Sequence, residues 1–424
     1  MSSPKMKQND IANSPRAFAI NLIVQCNKGS YANDLVPDAL SKSNFSNQDK
    51  SLITKIVYST LRNQIRIDNA LSKVSKKPIE KLDDIAIGAL RSIVAQLCDG
   101  LAPHAVINET VKVMPLSLKG FVNGVARKLV SLFENNKLFV DEAPHIKYSL
   151  PKWVHEEIET VFENADDVAC ALNVPAQTTI RVFSDVSDET VEDIAGDIIK
   201  EATLVSSQGD IGELNVIKDG NAIVLDQGSQ VVVQCLDPQE DDVVLDLCAA
   251  PGGKSFLISK IASKVVSADV SFSRMKKFIQ TKNRISANNV YPIVANGTKI
   301  PLKNSFNKIL LDAPCSGLGV LRRRPDARLR ISPDAVQELV ELQKQLLSSA
   351  IEMMQSKTIL LYSVCTFTKA ETIEMDEWLE SQYSYLIAQD ISKTNTNLVA
   401  LGRGFILPPG EQNDGMYVLR LQKQ

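Results

Sequence analysis

One aspartate and two cysteines stand where chemistry could occur. The stretch ILLDAPCSGLG (309–319) runs from three aliphatic residues to a carboxylate at Asp312, a proline, and Cys315 on a glycine-bounded turn. The stretch TILLYSVCTFT (358–368) repeats the plan, with Cys365 just beyond its apolar run. Each run reads as a short buried strand. Ligands of open α/β sheets bind at the carboxyl ends of strands. Asp312, Cys315 and Cys365 are therefore predicted to face one crevice. A single cysteine is more often a small buried hydrophobe, but two at strand ends are harder to read as packing.

A cofactor turn is predicted upstream. VVLDL (243–247) reads as a strand, DLCAAPGGK (246–254) as a glycine-rich turn, and a helix follows from Lys254. Gly252 and Gly253 let backbone approach a ligand, and helix-start amides favour a polar or anionic group. A dinucleotide fingerprint, G-x-G-x-x-G, is absent. A P-loop requires G-x-x-x-x-G-K-[ST]. Gly253, Lys254 and Ser255 supply its end, but Cys248 replaces its first glycine. With ILLD (309–312) as a Walker B-like strand, an NTPase is the alternative. S-adenosylmethionine is favoured, because Asp269 ends the second predicted strand, VVSAD (265–269). A carboxylate there can bond ribose hydroxyls and repels a nearby phosphate. Cys248 reads as a packing residue.

Beside a methyl donor, two thiols and a carboxylate suit one reaction. Pyrimidine C5 is too weak a nucleophile to take a methyl directly. A thiolate adding to C6 makes it nucleophilic; after transfer a base removes the C5 proton and the thiolate leaves. A free thiol ionises near pH ~8.5, so the site must favour the thiolate. Asp312 is placed to orient the base at its N3 edge and offset developing charge. The next segment, LRRRPDARLR (321–330), is rich in arginine. Arg322, Arg323, Arg324 and Arg328 read as phosphate contacts; an exposed basic loop is the competing reading.

The elements that position these residues follow from pattern and charge. The chain has 424 residues and a net charge of -3. That small net charge conceals +8 over residues 1–140, -16 over 141–240 and +5 over 241–424. Two basic ends suggest a polyanionic partner. Seven cysteines without a C-x-x-C pair indicate neither a disulfide framework nor a zinc site. His104, His145 and His155 precede the sheet pattern, so histidine catalysis is not expected. No apolar run approaches the ~20 residues that span a bilayer, and the polar start lacks a signal-peptide pattern. A monomer in a reducing cytoplasm, without metal or membrane, is expected.

Residues 1–14 read as a disordered leader and 15–138 as a helical bundle, on spacings such as Leu52, Ile56, Leu61 and Ile65. Residues 149–220 read as a small α+β module, with a strand at 178–184 and an acidic helix at 187–202. Residues 221–424 show strand–helix alternation, which specifies a mostly parallel, doubly wound sheet. The turn at 413–415 is expected to add an antiparallel edge strand.

The motifs DLCAAPGGK (246–254), DAPCSGLG (312–319), RRRPD (322–326) and YSVCT (362–366) resemble the RsmB/Sun family of bacterial 16S rRNA cytosine-5 methyltransferases. The similarity runs over nearly the whole chain. PHAVINETV (103–111) and KGFVNGVAR (119–127) are similar to the family's NusB-like RNA-binding domain. VLDQGSQ (224–230) and GFILPPGEQNDGMY (404–417) resemble the segments that open and close its catalytic domain. The resemblance implies three parts: an all-α NusB-like bundle, a small α+β connecting module, and an α/β Rossmann-like class I methyltransferase domain with a mostly parallel seven-stranded sheet. It implies 16S rRNA or a small-subunit precursor as substrate. It implies S-adenosylmethionine contacts at Cys248, Ala249, Ala250, Pro251, Gly252, Gly253, Lys254, Asp269, Asn296 and Asp312. Cys365 would be the nucleophile and Cys315 would aid product release. Spacing alone leaves the thiols interchangeable, and Pro314-Cys315 resembles the nucleophile motif of DNA cytosine methyltransferases, which reverses them. Three residues depart from the family pattern: Asn296 for Asp, Val364 for Thr, and Arg324 for His. A non-catalytic RNA-binding assembly factor is the third reading.

Overall fold

In the computed structural model the chain divides into two compact units, Met1–Glu156 with Arg324–Arg330, and Glu157–Arg323 with Ile331–Gln424. The structure describes residues 6, 11, 13–183, 194–195, 202–205, 211–302 and 306–424.

The first unit is helical: α1 (Pro15–Asn27), α2 (Ala32–Ser41), α3 (Asn47–Arg62), α4 (Gln64–Val74), α5 (Asp84–Cys98), α6 (Pro103–Lys112), α7 (Leu116–Glu134) and the short α8 (Pro144–Lys147). Its starts are written locally. Ser14 accepts from the Ala17 amide with Pro15 in the first turn, and Asp83 accepts from Ile85 and Ala86, so amides with no intrahelical partner are satisfied. Every residue from Ala86 to Leu97 is buried; α5 is apolar on most sides and forms the centre of the unit. Arg91 on α5 holds Asp68 on α4 through two 2.7 Å bonds. Most of the expected leader lies outside the described residues, but Met6 is buried in this core.

The second unit begins with α9 (Lys152–Val161, which starts in the first unit) and α10 (Ala165–Ala171). A small antiparallel sheet follows, of β1 (Thr178–Val182), β2 (Ile194–Ala195), β3 (Ala202–Val205) and β4 (Ala222–Val224), in the order β2-β3-β1-β4. α11 (Asn215–Lys218) precedes β4. The acidic helix expected at 187–202 is corrected at Ile194, Ala195 and Ala202, which lie in strands. The rest of that segment lies outside the described residues.

After α12 (Gln227–Leu236) come β5 (Val243–Leu247), α13 (Gly253–Ile258), β6 (Lys264–Asp269), α14 (Phe272–Arg284), β7 (Val290–Val294), β8 (Lys308–Asp312), α15 (Pro333–Glu352), β9 (Ile359–Val364), α16 (Ile373–Gln382), β10 (Leu386–Ala388), β11 (Val399–Leu401), β12 (Gly404–Leu407) and β13 (Met416–Lys423). The large sheet has nine strands, ordered β11-β12-β13-β9-β8-β5-β6-β7 with β10 also on β13. β5 to β9 are mutually parallel, and β10 to β13 extend them antiparallel. The expected seven strands become nine because β10 and β11 are three-residue edge strands. Such strands are too short for an alternation signal. β5, β6, β8 and β9 are buried along most of their length, as a sheet covered on both faces requires. Chain order reverses beside β5, whose neighbours are β6 and β8. That crevice is the topological switch point where ligands bind in such sheets. No helix among the described residues is long and apolar enough to cross a membrane.

Candidate active site

Strand register brings the predicted residues together. Asp312, the last residue of β8, lies opposite Ser363 of β9. Cys315 follows that pair by three residues and Cys365 by two, so both turns leave the sheet side by side. Their sulfurs are 3.1 Å apart. The amide of Gly319 donates to the Cys365 carbonyl at 3.0 Å, and the amide of Gly415 to the Gly319 carbonyl at 3.0 Å. The loop before β13 thus backs the Cys315 turn.

Across the switch point, the Lys254 ammonium donates to Asp312 Oδ2 at 2.7 Å, and Ser363 Oγ donates to Oδ1 at 3.2 Å. Burial alone would lower the pKa of Lys254; the charge and hydrogen bond of Asp312 outweigh it, so the ammonium is held above its ordinary value. Lys254 therefore neutralises Asp312, a role the sequence reading of the turn did not assign. Asp246 is fully buried and accepts from Ser255 Oγ at 2.5 Å. Burial pushes its carboxyl up to about 7, and the charges of Asp312 and Asp269 add to the shift. Cys248 is pushed up to about 12 by burial and by Asp269, Asp312 and Asp246. It stays a thiol at neutral pH and cannot act as a nucleophile.

The cofactor turn is shaped by Gly252, whose φ of +112° is left-handed. A Cβ there would stand 2.5 to 2.7 Å from ring atoms of Phe256 and Phe278. Asp269 differs from expectation. Its side chain is 1% exposed and accepts from the amides of Ala250 and Ser271 and from Arg274. In this arrangement it braces the turn instead of presenting a carboxylate to ribose. Asn296 is exposed; its oxygen accepts from Thr298 N and Oγ1, so its NH2 is the end that could meet an adenine acceptor. Val270 and Phe272, each 65% exposed, follow Asp269 in the chain. Asp312 is paired with Lys254 and Asp269 with Arg274, and Asp246 is partly protonated near neutral pH. The turn therefore carries no excess positive charge to hold a triphosphate. S-adenosylmethionine, with its sulfonium and ammonium, fits these residues.

The arginine segment requires correction. Arg322 is 1% exposed and donates to the carbonyls of Asn413, at 2.9 Å, and Glu411. Arg323 bridges Asp226, at 2.5 Å, and Asp414, at 2.8 Å. Arg328 is 1% exposed, donates to the carbonyls of Arg62 and Ser149, and is lowered to about 9 by burial and by Arg62. These three are structural braces, not phosphate contacts. Of the four predicted residues only Arg324 is exposed. Residues 324–330 belong to the helical unit, where Leu329 packs in its core and Asp326 accepts from the Ala32 amide.

Residues 233–422 match the family model for 16S rRNA methyltransferase RsmB/F, and residues 13–131 match the NusB family. The chain joins a NusB-family domain to an RsmB/F-family methyltransferase domain. Ribosomal RNA small subunit methyltransferase B of Thermus thermophilus is 28% identical, with 97% of this chain and 98% of that protein aligned. The crystal structure of PH0851 has the same fold, with a TM-score of 0.77 at 21% identity, covering 99% of this chain and 100% of that one. A methyltransferase homolog from Pyrococcus horikoshii superposes with a TM-score of 0.58 at 21% identity, covering 66% of this chain and 98% of that one. The match over residues 233–422 favours methyl transfer over the NTPase reading. Lys254 is consistent with that, being held by a carboxylate.

Proposed function

We propose that the chain methylates C5 of a cytosine in 16S rRNA through a Cys365 thiolate adduct at C6. The observation that carries this reading is the pair of sulfurs 3.1 Å apart, beside an aspartate at adjacent parallel strand ends. Cys315 is held well above the ordinary thiol range by its hydrogen bond to Cys365, by burial, and by the charges of Cys365, Glu371 and Asp312. It keeps its proton at neutral pH, with its sulfur within hydrogen-bond distance of Cys365 Sγ. A thiol held in that form is the poorer nucleophile, which supports Cys365 in that role. S-adenosylmethionine, when bound, supplies an electrophilic methyl group. Cys365 Sγ adds to C6, and the electron pair displaced into the ring makes C5 nucleophilic. The Lys254–Asp312 pair offers both a donor and an acceptor to the polar edge of the base, where negative charge develops. Once Cys365 is a thioether, its charge and acceptor strength no longer raise Cys315. Cys315 can then release its proton to solvent, accept the proton from C5, and let the C6–S bond break.

The relatives, ribosomal RNA small subunit methyltransferases, support ribosomal RNA as substrate. The NusB-family domain, proposed to span 15–138, is assigned RNA binding; residues 149–220 connect it to the catalytic domain at 221–424. A target base inside a helix must be unstacked, which costs a few kcal/mol. The test uses two variants. Cys315→Ser should accumulate an RNA–protein adduct that survives denaturation, and Cys365→Ser should form none. The reverse pattern exchanges the thiol roles. Bisulfite sequencing of 16S rRNA from cells with and without the gene identifies the nucleotide; no lost signal in any rRNA overturns the substrate assignment.

A further inference from the structure

Glu371 belongs to none of the sequence motifs, yet it is 0% exposed beside the two thiols. Both carboxylate oxygens are saturated. Oε1 accepts from the Ser316 amide at 2.8 Å and from Gln343 Nε2 at 2.9 Å. Oε2 accepts from Ser316 Oγ at 2.5 Å and Thr368 Oγ1 at 2.8 Å. Ser316 follows Cys315, and its hydroxyl also lies 2.6 Å from Thr366 Oγ1, which follows Cys365. Gln343, on α15, donates to the Pro314 carbonyl at 2.9 Å and accepts from Tyr362 Oη at 3.0 Å. Tyr362 Oη is also 3.0 Å from the Glu371 carbonyl. One carboxylate thus joins the turn carrying Cys315, the turn carrying Cys365, and the helix beneath both.

We propose that Glu371 is a positioning residue for the methyl transfer proposed above: it fixes the two sulfurs in register and makes the two thiols unequal. The inference rests on that reading of the site. An apolar network of hydrophobic side chains could hold two turns together. A buried anion with four donors does more, because it adds a fixed negative charge beside one cysteine. Its charge is among the causes that raise Cys315. The titratable groups acting on Cys315 are Cys365 beyond β9, Glu371, Asp312 of β8, and Tyr362 of β9, whose own hydroxyl is raised by burial, Glu371 and Cys315. Ser316 presents two donors to Glu371, so the charge is fixed one residue from Cys315.

Glu371→Gln separates charge from geometry. Its amide oxygen keeps the Ser316 amide and Gln343, while its NH2 faces two hydroxyls, which can turn to accept. Alkylation of each cysteine by iodoacetamide, resolved by peptide mass spectrometry from pH 6 to 10, reads thiol ionisation without RNA. In the wild type Cys365 should react first. In Glu371→Gln, Cys315 should react severalfold faster at pH 8, because one of the charges that raise it is gone, and the order of the two thiols should narrow. Glu371→Ala should lower single-turnover methyl transfer about 10²-fold, as for reacting groups misplaced by ~1 Å, with the KM for the methyl donor unchanged; Glu371→Gln should recover much of that rate. Unchanged alkylation of both cysteines in Glu371→Gln, or its failure to restore the rate, overturns the proposal. If Cys365→Ser still methylates, the thiolate mechanism fails, while the alkylation result continues to judge Glu371 by itself.

Discussion

Gly319 offers the sharpest test of the claim that the two thiol turns must touch. A Cβ at Gly319 would overlap the Gly415 carbonyl oxygen, stand 2.9 Å from its carbon, and lie 3.0 Å from the Cys365 carbonyl oxygen. All three are backbone atoms, so no rotamer change relieves them. Gly319→Ala must push the facing backbone back by about 1 Å, and overpacking of this kind costs about 1–3 kcal/mol of stability. It also strains the hydrogen bonds from Gly319 to Cys365 and from Gly415 to Gly319, each contributing about 1 kcal/mol. A displacement of ~1 Å at reacting groups lowers rate by about 10²-fold, or about 2.7 kcal/mol in the barrier. The assay is single-turnover transfer of a radiolabelled methyl group to 16S rRNA, with urea unfolding measured on the same preparations. Gly317 provides the control. It lies in the same turn with φ +71°, and its Cβ would meet Val320 at an ordinary 3.6 Å, so Gly317→Ala adds strain of about 1–2 kcal/mol without a backbone clash. Gly319→Ala should be at least tenfold slower than Gly317→Ala at equal folded fraction. A folded Gly319→Ala variant with the wild-type rate would refute the reasoning.

Removing the ammonium in Lys254→Met should lower methyl transfer by about 10²–10³-fold, the usual effect of deleting one preorganised donor; stopped assays with saturating methyl donor check this, and methyl-donor affinity is read by calorimetry. Asp246, with a carboxyl raised to about 7, binds its proton more tightly folded than unfolded. Its contribution is therefore most favourable at low pH and is lost as pH rises from about 4 to about 7, by about 4 kcal/mol at most; Asp246→Asn should flatten the change in urea midpoint between pH 5 and pH 8. Gly124 sits exposed inside α7, and a Cβ added there would meet nothing within 4 Å. Gly124→Ala should therefore stabilise the helical unit by about 0.5–1 kcal/mol, seen as a higher melting temperature.

The basic segment shows most clearly where sequence reading stops. Composition marks 321–330 as arginine-rich, and an arginine run on a loop reads as a phosphate site. Arg322 and Arg328 are instead buried donors to backbone carbonyls, and Arg323 links Asp226 to Asp414. The carbonyls that Arg322 and Arg328 meet lie 89 to 266 residues away, so no local pattern records them. Glu371 is similar. No sequence motif includes it, and tertiary packing buries it among donors from three segments.

The chain by itself determined the strand series from β5 to β9, the glycine turn, and the presence of Asp312, Cys315 and Cys365 at strand ends. Those features are legible because burial on both faces of a parallel strand demands an apolar run, and a turn demands its own residue types, within a few neighbours. Only the tertiary structure decided the rest: that the two sulfurs meet at 3.1 Å, that Lys254 answers Asp312 across the switch point, and that Glu371 ties both turns to α15. Apart from the Thr368–Glu371 bond, these contacts pair residues 28 or more positions apart. Local periodicity says which face a residue turns inward; strand order and register choose the partner it meets there.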